Sequence, residues 1–319
     1  MALVPCQAFI VSELSFGPHV HRWGLHRIAC VAQKEELLNM KKGINYWAFP
    51  ANKDGSPIGQ INAMKRAKEL GYDCLELTVE AEGELTGRTS RGEAMALRKA
   101  ADAIGIELAT VASGLAWGES PTDPEPAIRA KAVESYKRAL EICSWLGAKT
   151  LLYLPGMVSA CFVPGYAPQP YEAVAQRARE AVRALLPAAE KCKVTLAVEN
   201  VWNRFLLSPV EMRAFIDQFD SEWVASYLDV GNVMLYGHPE DWIRTLDKRI
   251  AAVHLKDFRV DVGNLDGFVD LLSGDVDFRS VMATLREVGY KGTYTAEIVP
   301  GKDGAAEKSI AALRIIENF

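Results

Sequence analysis

The chain has 319 residues, 49% of them hydrophobic, enough to bury a large core as one big domain or two small ones. Its net charge of −5 and the lack of a long basic run argue against nucleic acid as a partner. No apolar stretch approaches the ~20 residues that cross a bilayer, and the six cysteines show no CxxC or paired spacing, as expected of a reducing cytoplasm.

In chain order, the first forty residues come without a clear helical or strand period. They hold His19, His21 and His26, but no acidic or cysteine ligand close by, so a metal site is not expected there. They also lack the basic start and the small-residue cleavage site of a signal peptide. Regular patterning begins at "KKGINYWAF", directly after Met40. Residues 1–40 are therefore expected to form a loosely attached extension, and residues 41–319 the catalytic domain.

From Lys41, short β-rich runs alternate with amphipathic stretches. The predicted first strand is "GINYWAF" (Gly43–Phe49), followed by a helix in which Ile61, Met64, Ala67 and Leu70 recur before Gly71. "DCLELTVE" (Asp73–Glu80) leads to "RGEAMALRKAADAIG", and "IELATVASG" (Ile106–Gly114) to "PEPAIRAKAVESYKRALEICSWLG". "AKTLLYLPG" (Ala148–Gly156) leads to "YEAVAQRAREAVRALLPAAEKC". "VTLAVEN" (Val194–Asn200) leads to "SPVEMRAFIDQF", where Ser208 and Glu211 have the spacing of a capping box. "WVASYLDVGN" leads to "PEDWIRTLDK", "IAAVHLKD" (Ile250–Asp257) through a longer loop to "DFRSVMATLREVG", and "GTYTAEIV" (Gly292–Val299) to the last helix. Eight such βα units imply a parallel sheet, and units of this length fit a closed (β/α)8 TIM barrel. An open doubly wound sheet is the alternative, but no glycine-rich fingerprint follows the first strand.

In such a barrel the chemistry lies at the C-terminal ends of the strands. Four consecutive strands end in "AVEN", "YLDVGN", "AVHLKD" and "TAEIV", and so present Glu199, Asp229, His254 and Glu297. A single strand-end carboxylate more often caps the next helix or pairs with a lysine, and a single strand histidine is usually a hydrogen-bonded core residue. Together, three carboxylates and an imidazole at one mouth repel one another unless a cation neutralises them. Three oxygen donors and one nitrogen suit Mn²⁺ or Co²⁺, with Mg²⁺ or Zn²⁺ as alternatives.

"VEN…NRF", "DVGN", "VHLKD" and "YTAEI" resemble the xylose-isomerase-like superfamily of sugar isomerases and epimerases, in particular the ketose and ketulose-phosphate 3-epimerases. The resemblance runs from about Lys41 to the C-terminus. It implies that Glu199, Asp229, His254 and Glu297 bind one divalent metal, and that Glu199 and Glu297 act as acid and base on opposite faces of a ketose, through an enediolate. Two positions depart from the free-sugar epimerases: Asn232 stands where they often carry a histidine, and Leu206 where they carry a glutamate. Lys256 and Arg259 could hold an anionic group such as phosphate, or be solvated strand-end charges. Glu76 could point into the barrel or pair with a lysine. Trp117, with Tyr46 and Trp47, could wall the substrate or simply pack, and His238 is expected at the surface.

The expected function is thus a metal-dependent, cytoplasmic epimerase or isomerase of a ketose or ketose phosphate, with a homo-oligomer left open. The alternative is a lyase that runs the same enediolate chemistry to β-elimination on a 3-keto sugar. The endonuclease branch of the superfamily needs several histidines and a basic face, and a pure binder has no use for two opposed glutamates.

Overall fold

The computed structural model describes residues 40–52, 54–298 and 304–319. The expected extension before Met40 lies outside these residues.

Eight strands close into a parallel barrel in the order β1-β10-β7-β6-β5-β4-β3-β2. They are β1 (Lys41–Asn45), β2 (Cys74–Val79), β3 (Thr110–Ser113), β4 (Thr150–Tyr153), β5 (Thr195–Glu199), β6 (Val224–Asp229), β7 (Ile250–Leu255) and β10 (Thr293–Ala296). The first strand is shorter than expected, because Tyr46–Ala48 winds into a 3-10 turn at the mouth. The barrel is jacketed by α1 (Gln60–Leu70), α2 (Arg91–Ile104), α3 (Pro126–Leu146), α4 (Tyr171–Cys192), α5 (Pro209–Asp217), α7 (Pro239–Leu246), α8 (Phe278–Glu287) and α9 (Ala305–Ile316). A single turn, α6 (Val230–Val233), follows β6 directly.

Local chemistry sets the helix ends. Ser90 and Glu93 form a reciprocal capping box on α2, and Gly71, Gly105 and Gly147 close α1, α2 and α3 in the left-handed conformation. Ser208 caps α5 as expected, accepting from the Glu211 amide, but the Glu211 carboxylate takes the Leu207 N–H instead of closing the box. No helix among the described residues is long and apolar enough to cross a membrane.

The long loop after β7 has structure of its own. Asp257–Phe258 (β8) and Phe268–Val269 (β9) pair antiparallel beside the barrel mouth. Asp257 is fully buried and organises the turn that follows: its carboxylate accepts from the amides of Phe258, Ser273, Gly274 and Val276 at 2.8–3.2 Å. A Cβ on Gly274 would lie 2.3 Å from Asp257 Oδ1, so only glycine passes so close. Asp257→Ala should cost about 3 kcal/mol of stability, because it orphans four amide donors, two of them buried. Urea unfolding checks this, and an unchanged midpoint would contradict it.

Candidate active site

Strand alternation decides which side chains face the barrel axis. On β6 it turns Tyr227 and Asp229 inward, and the register sets Asp229 opposite His254 of β7. Glu199 ends β5, and Glu297 follows β10 directly, its amide bonded to Leu255 O. One ligand atom from each of Glu199, Asp229, His254 and Glu297 lies within 4.8 Å of the others.

Asp229 does two things at once. Its Oδ1 caps α6 by accepting from the Asn232 amide at 2.7 Å, while Oδ2 faces the cluster. Asn200 locks this strand end, with its Oδ1 taking the Asp229 N–H and its Nδ2 donating to the Asp229 carbonyl. His254 is oriented from both sides. Nδ1 sits 2.9 Å from Glu297 Oε2 and 3.2 Å from Glu199 Oε1, and Nε2 sits 2.8 Å from Glu76 Oε1.

The charges are crowded and buried. Burial pushes Glu199 above the usual carboxylate range and, against the pull of Lys256, pushes Asp229 up to about 7. Burial acts on Glu297 too, but Lys256 and His254 outweigh it and hold the group well below that range. His254 is raised, since Glu76 and Glu297 overcome its desolvation. Lys256 Nζ lies 3.1 Å from Asp229 Oδ2 and 2.8 Å from Glu297 Oε2. Neither oxygen nevertheless has an aligned hydrogen bond, though both are buried. Three buried carboxylates that share one lysine and one imidazole still carry an excess of acceptors, which suits a further cation. With the oxygen-rich donor set, this fits a hard divalent metal.

The expected substrate residues divide. Trp117, Asn232 and Lys256 line a cavity of about 640 Å³ at the mouth, together with Glu199 and Glu297. Trp47 lines it as well, and His238 is exposed at the start of α7. Glu76 and Arg259 do not line it. Glu76 faces the axis, but deeper than Thr78 and Glu80, which do reach the cavity on the same face of β2. Both its oxygens are engaged, Oε1 with His254 Nε2 and Oε2 with Tyr227 OH (2.5 Å) and Thr110 Oγ1 (2.7 Å). Arg259 lies exposed on the loop after β8, where its Nε reaches Ser273 O. Chain adjacency to Lys256 placed it at the site on paper, and the β8–β9 hairpin carries it away.

Several residues of the site went unnoticed in the sequence. Tyr227 and Thr110 support Glu76 from below. Trp202 and Phe268 line the cavity, their rings 5.0 Å apart. Trp202 had a signal, standing three residues after Glu199 beside "NRF". Phe268 had only the length of the loop after β7. Asn203 of "NRF" is structural: its Nδ2 donates to Gly156 O and joins the loops after β4 and β5.

Comparison with known proteins adds the following. The profile of the xylose isomerase-like TIM barrel family matches residues 64–316. The L-ribulose-5-phosphate 3-epimerase UlaE of Salmonella paratyphi C (strain RKS4594) is 25% identical over 247 residues, covering 76% of this chain and 84% of that protein. Among solved structures, that of an L-ribulose 3-epimerase superposes with a TM-score of 0.70 at 16% identity, over 88% of this chain and 95% of the other. A D-tagatose 3-epimerase-like protein superposes with a TM-score of 0.69 at 20% identity, over 88% and 99%.

Proposed function

Because the chain belongs to the xylose isomerase-like TIM barrel family, we propose that it is a metal-dependent epimerase of a ketose or ketose phosphate. The observation that carries this reading is the pair Glu199 and Glu297, two carboxylates of one buried cluster that both line the cavity. The similarity to a ribulose-phosphate 3-epimerase supports the substrate class.

In this reading Glu199, Asp229, His254 Nδ1 and Glu297 hold one divalent cation, Mn²⁺ or Co²⁺ by preference. When bound, it supplies Lewis-acid polarisation of a ketose carbonyl and the adjacent hydroxyl. The chain's own groups do the proton work. Glu199 comes from β5 and Glu297 from the end of β10, with β6 and β7 between them, which supports an approach to the substrate from two sides. One removes the proton from the carbon beside the carbonyl, and the C–H electron pair passes into an enediolate. The other returns a proton to the opposite face, which inverts the carbon. Lys256, beside Glu297, donates to the oxygen that gains negative charge. The aromatic wall keeps out water that would compete for the proton.

Glu76 acts through His254. By holding Nε2–H it turns Nδ1 toward the cluster, as carboxylates behind metal-binding histidines do. Glu76→Gln should weaken Mn²⁺ binding about 10–100-fold, as measured by calorimetry, with the fold intact by circular dichroism. Unchanged affinity would remove Glu76 from this role.

The test of the activity is α-proton exchange. The purified protein, supplied with Mn²⁺, is incubated in D₂O with a panel of ketoses and ketose phosphates and followed by NMR. Deuterium should enter at the carbon beside the carbonyl, with the C3 epimer as product. Loss of water from the substrate would point to a lyase, and no exchange with any member would reject the reading.

A further inference from the structure

We propose that the substrate is an uncharged sugar that carries an apolar, ring-sized group beyond its reacting carbons, and not a sugar phosphate. This rests on the epimerase reading for the chemistry at the inner end of the cavity. The cavity itself carries the rest.

At about 640 Å³ the cavity lies in the middle of the range that encloses drug-sized ligands, and a bare ketose would occupy only its inner end. There the polar groups gather: Glu199, Asn232, Lys256 and Glu297. Two aromatic pairs from four different loops line it as well. Trp117 meets Phe162 edge-on, with ring centroids 4.7 Å apart, and Trp202 meets Phe268 at 5.0 Å. Trp202 spends its N–H on Asn232 O at 3.1 Å, so it offers the cavity carbon surface. Leu265 and Phe162, 42% and 37% exposed, leave apolar surface on the cavity wall for a ligand to cover.

The charges oppose an anion. Lys256 is the only basic side chain among the described residues that line the cavity. Its ammonium sits at the inner end between Asp229 and Glu297, where its remaining N–H serves the reacting oxygen, and lies 5.0 Å from the Phe268 ring centroid. The other charged lining groups are carboxylates: Glu80, the two glutamates of the cluster, and Glu119, whose charge is paired with Lys131 at 2.6 Å. A phosphate in this cavity meets like charge and indole carbon, without the guanidinium fork that usually receives it.

The test uses three ligands that differ only at C6: D-fructose, D-fructose 6-phosphate and 6-O-benzyl-D-fructose. The matched D-tagatose set is run alongside them. Calorimetry gives affinity whether or not turnover occurs, and deuterium exchange gives kcat/KM. The benzyl ether should bind at least about tenfold more tightly than the bare ketose, the discrimination that apolar pockets reach, and the phosphate more weakly than either. Trp117→Ala should erase the benzyl-to-bare ratio, and Glu80→Gln should narrow the penalty on phosphate. Tight benzyl binding without exchange on any ligand would keep the substrate class and overturn the epimerase reading. Exchange with the phosphate preferred, or with all three alike, would keep the epimerase and overturn the substrate class.

Discussion

Glu199→Gln and Glu297→Gln are each expected to lower net epimerisation by about 10²–10⁴-fold, the usual contribution of a positioned acid or base. Each variant should nevertheless exchange the α-proton of one epimer with D₂O, and the two should differ in which epimer that is. The amide keeps the shape of the side chain and removes the proton acceptor, so the surviving glutamate still works on the face it addresses. Both residues also belong to the cluster that would hold the metal, so the measurement is made with excess Mn²⁺ to separate lost basicity from lost occupancy. Exchange of the same epimer by both variants would show one base at work. The scheme would then be an isomerase or an eliminating lyase instead of a two-base epimerase.

The second large effect concerns the cation. The purified protein should carry about one divalent ion per chain, as the cluster of hard donors among the described residues implies, and His254→Ala and Asp229→Asn should each deplete it. The expected loss of affinity exceeds the 10–100-fold typical of residues that only support a ligand, because each change removes a donor itself. Saturation has a second readout. At a hundredfold excess over Kd, Mn²⁺ should stabilise the wild-type fold by about 2.7 kcal/mol, seen as a rise in Tm, and should leave both variants almost unmoved. The physical basis is the convergence of three buried carboxylates on one imidazole, with Lys256 alone to offset their charge. Equal metal content in all three proteins would remove these residues from the site.

What could be read along the chain was whatever repeats locally. The alternation of short β-rich runs with helical periods pointed to a (β/α)8 barrel over an open doubly wound sheet, because each strand needs its apolar flank covered and each cap or glycine stops its helix without outside help. Strand-end acids at Glu199, Asp229 and Glu297, with His254 between the last two, stood out because parallel strands present their C-terminal residues at one mouth. The two readings of Asp229, helix cap or cluster member, looked exclusive in sequence, yet the structure gives one oxygen to each.

Tertiary structure decided depth and direction. Glu76 was legible as an inward or helix-facing residue, but only barrel closure sets it one layer below the cavity, against the far nitrogen of His254. Lys256 and Arg259 are near neighbours in the chain, and the β8–β9 hairpin, pinned by the buried Asp257, sends one to the cluster and the other to solvent. The aromatic wall has no linear signature at all, since Trp117, Phe162, Trp202 and Phe268 come from four loops separated by whole βα units. Periodicity and capping act over a few residues of backbone, whereas which loops meet over the mouth depends on the register in which all eight strands close.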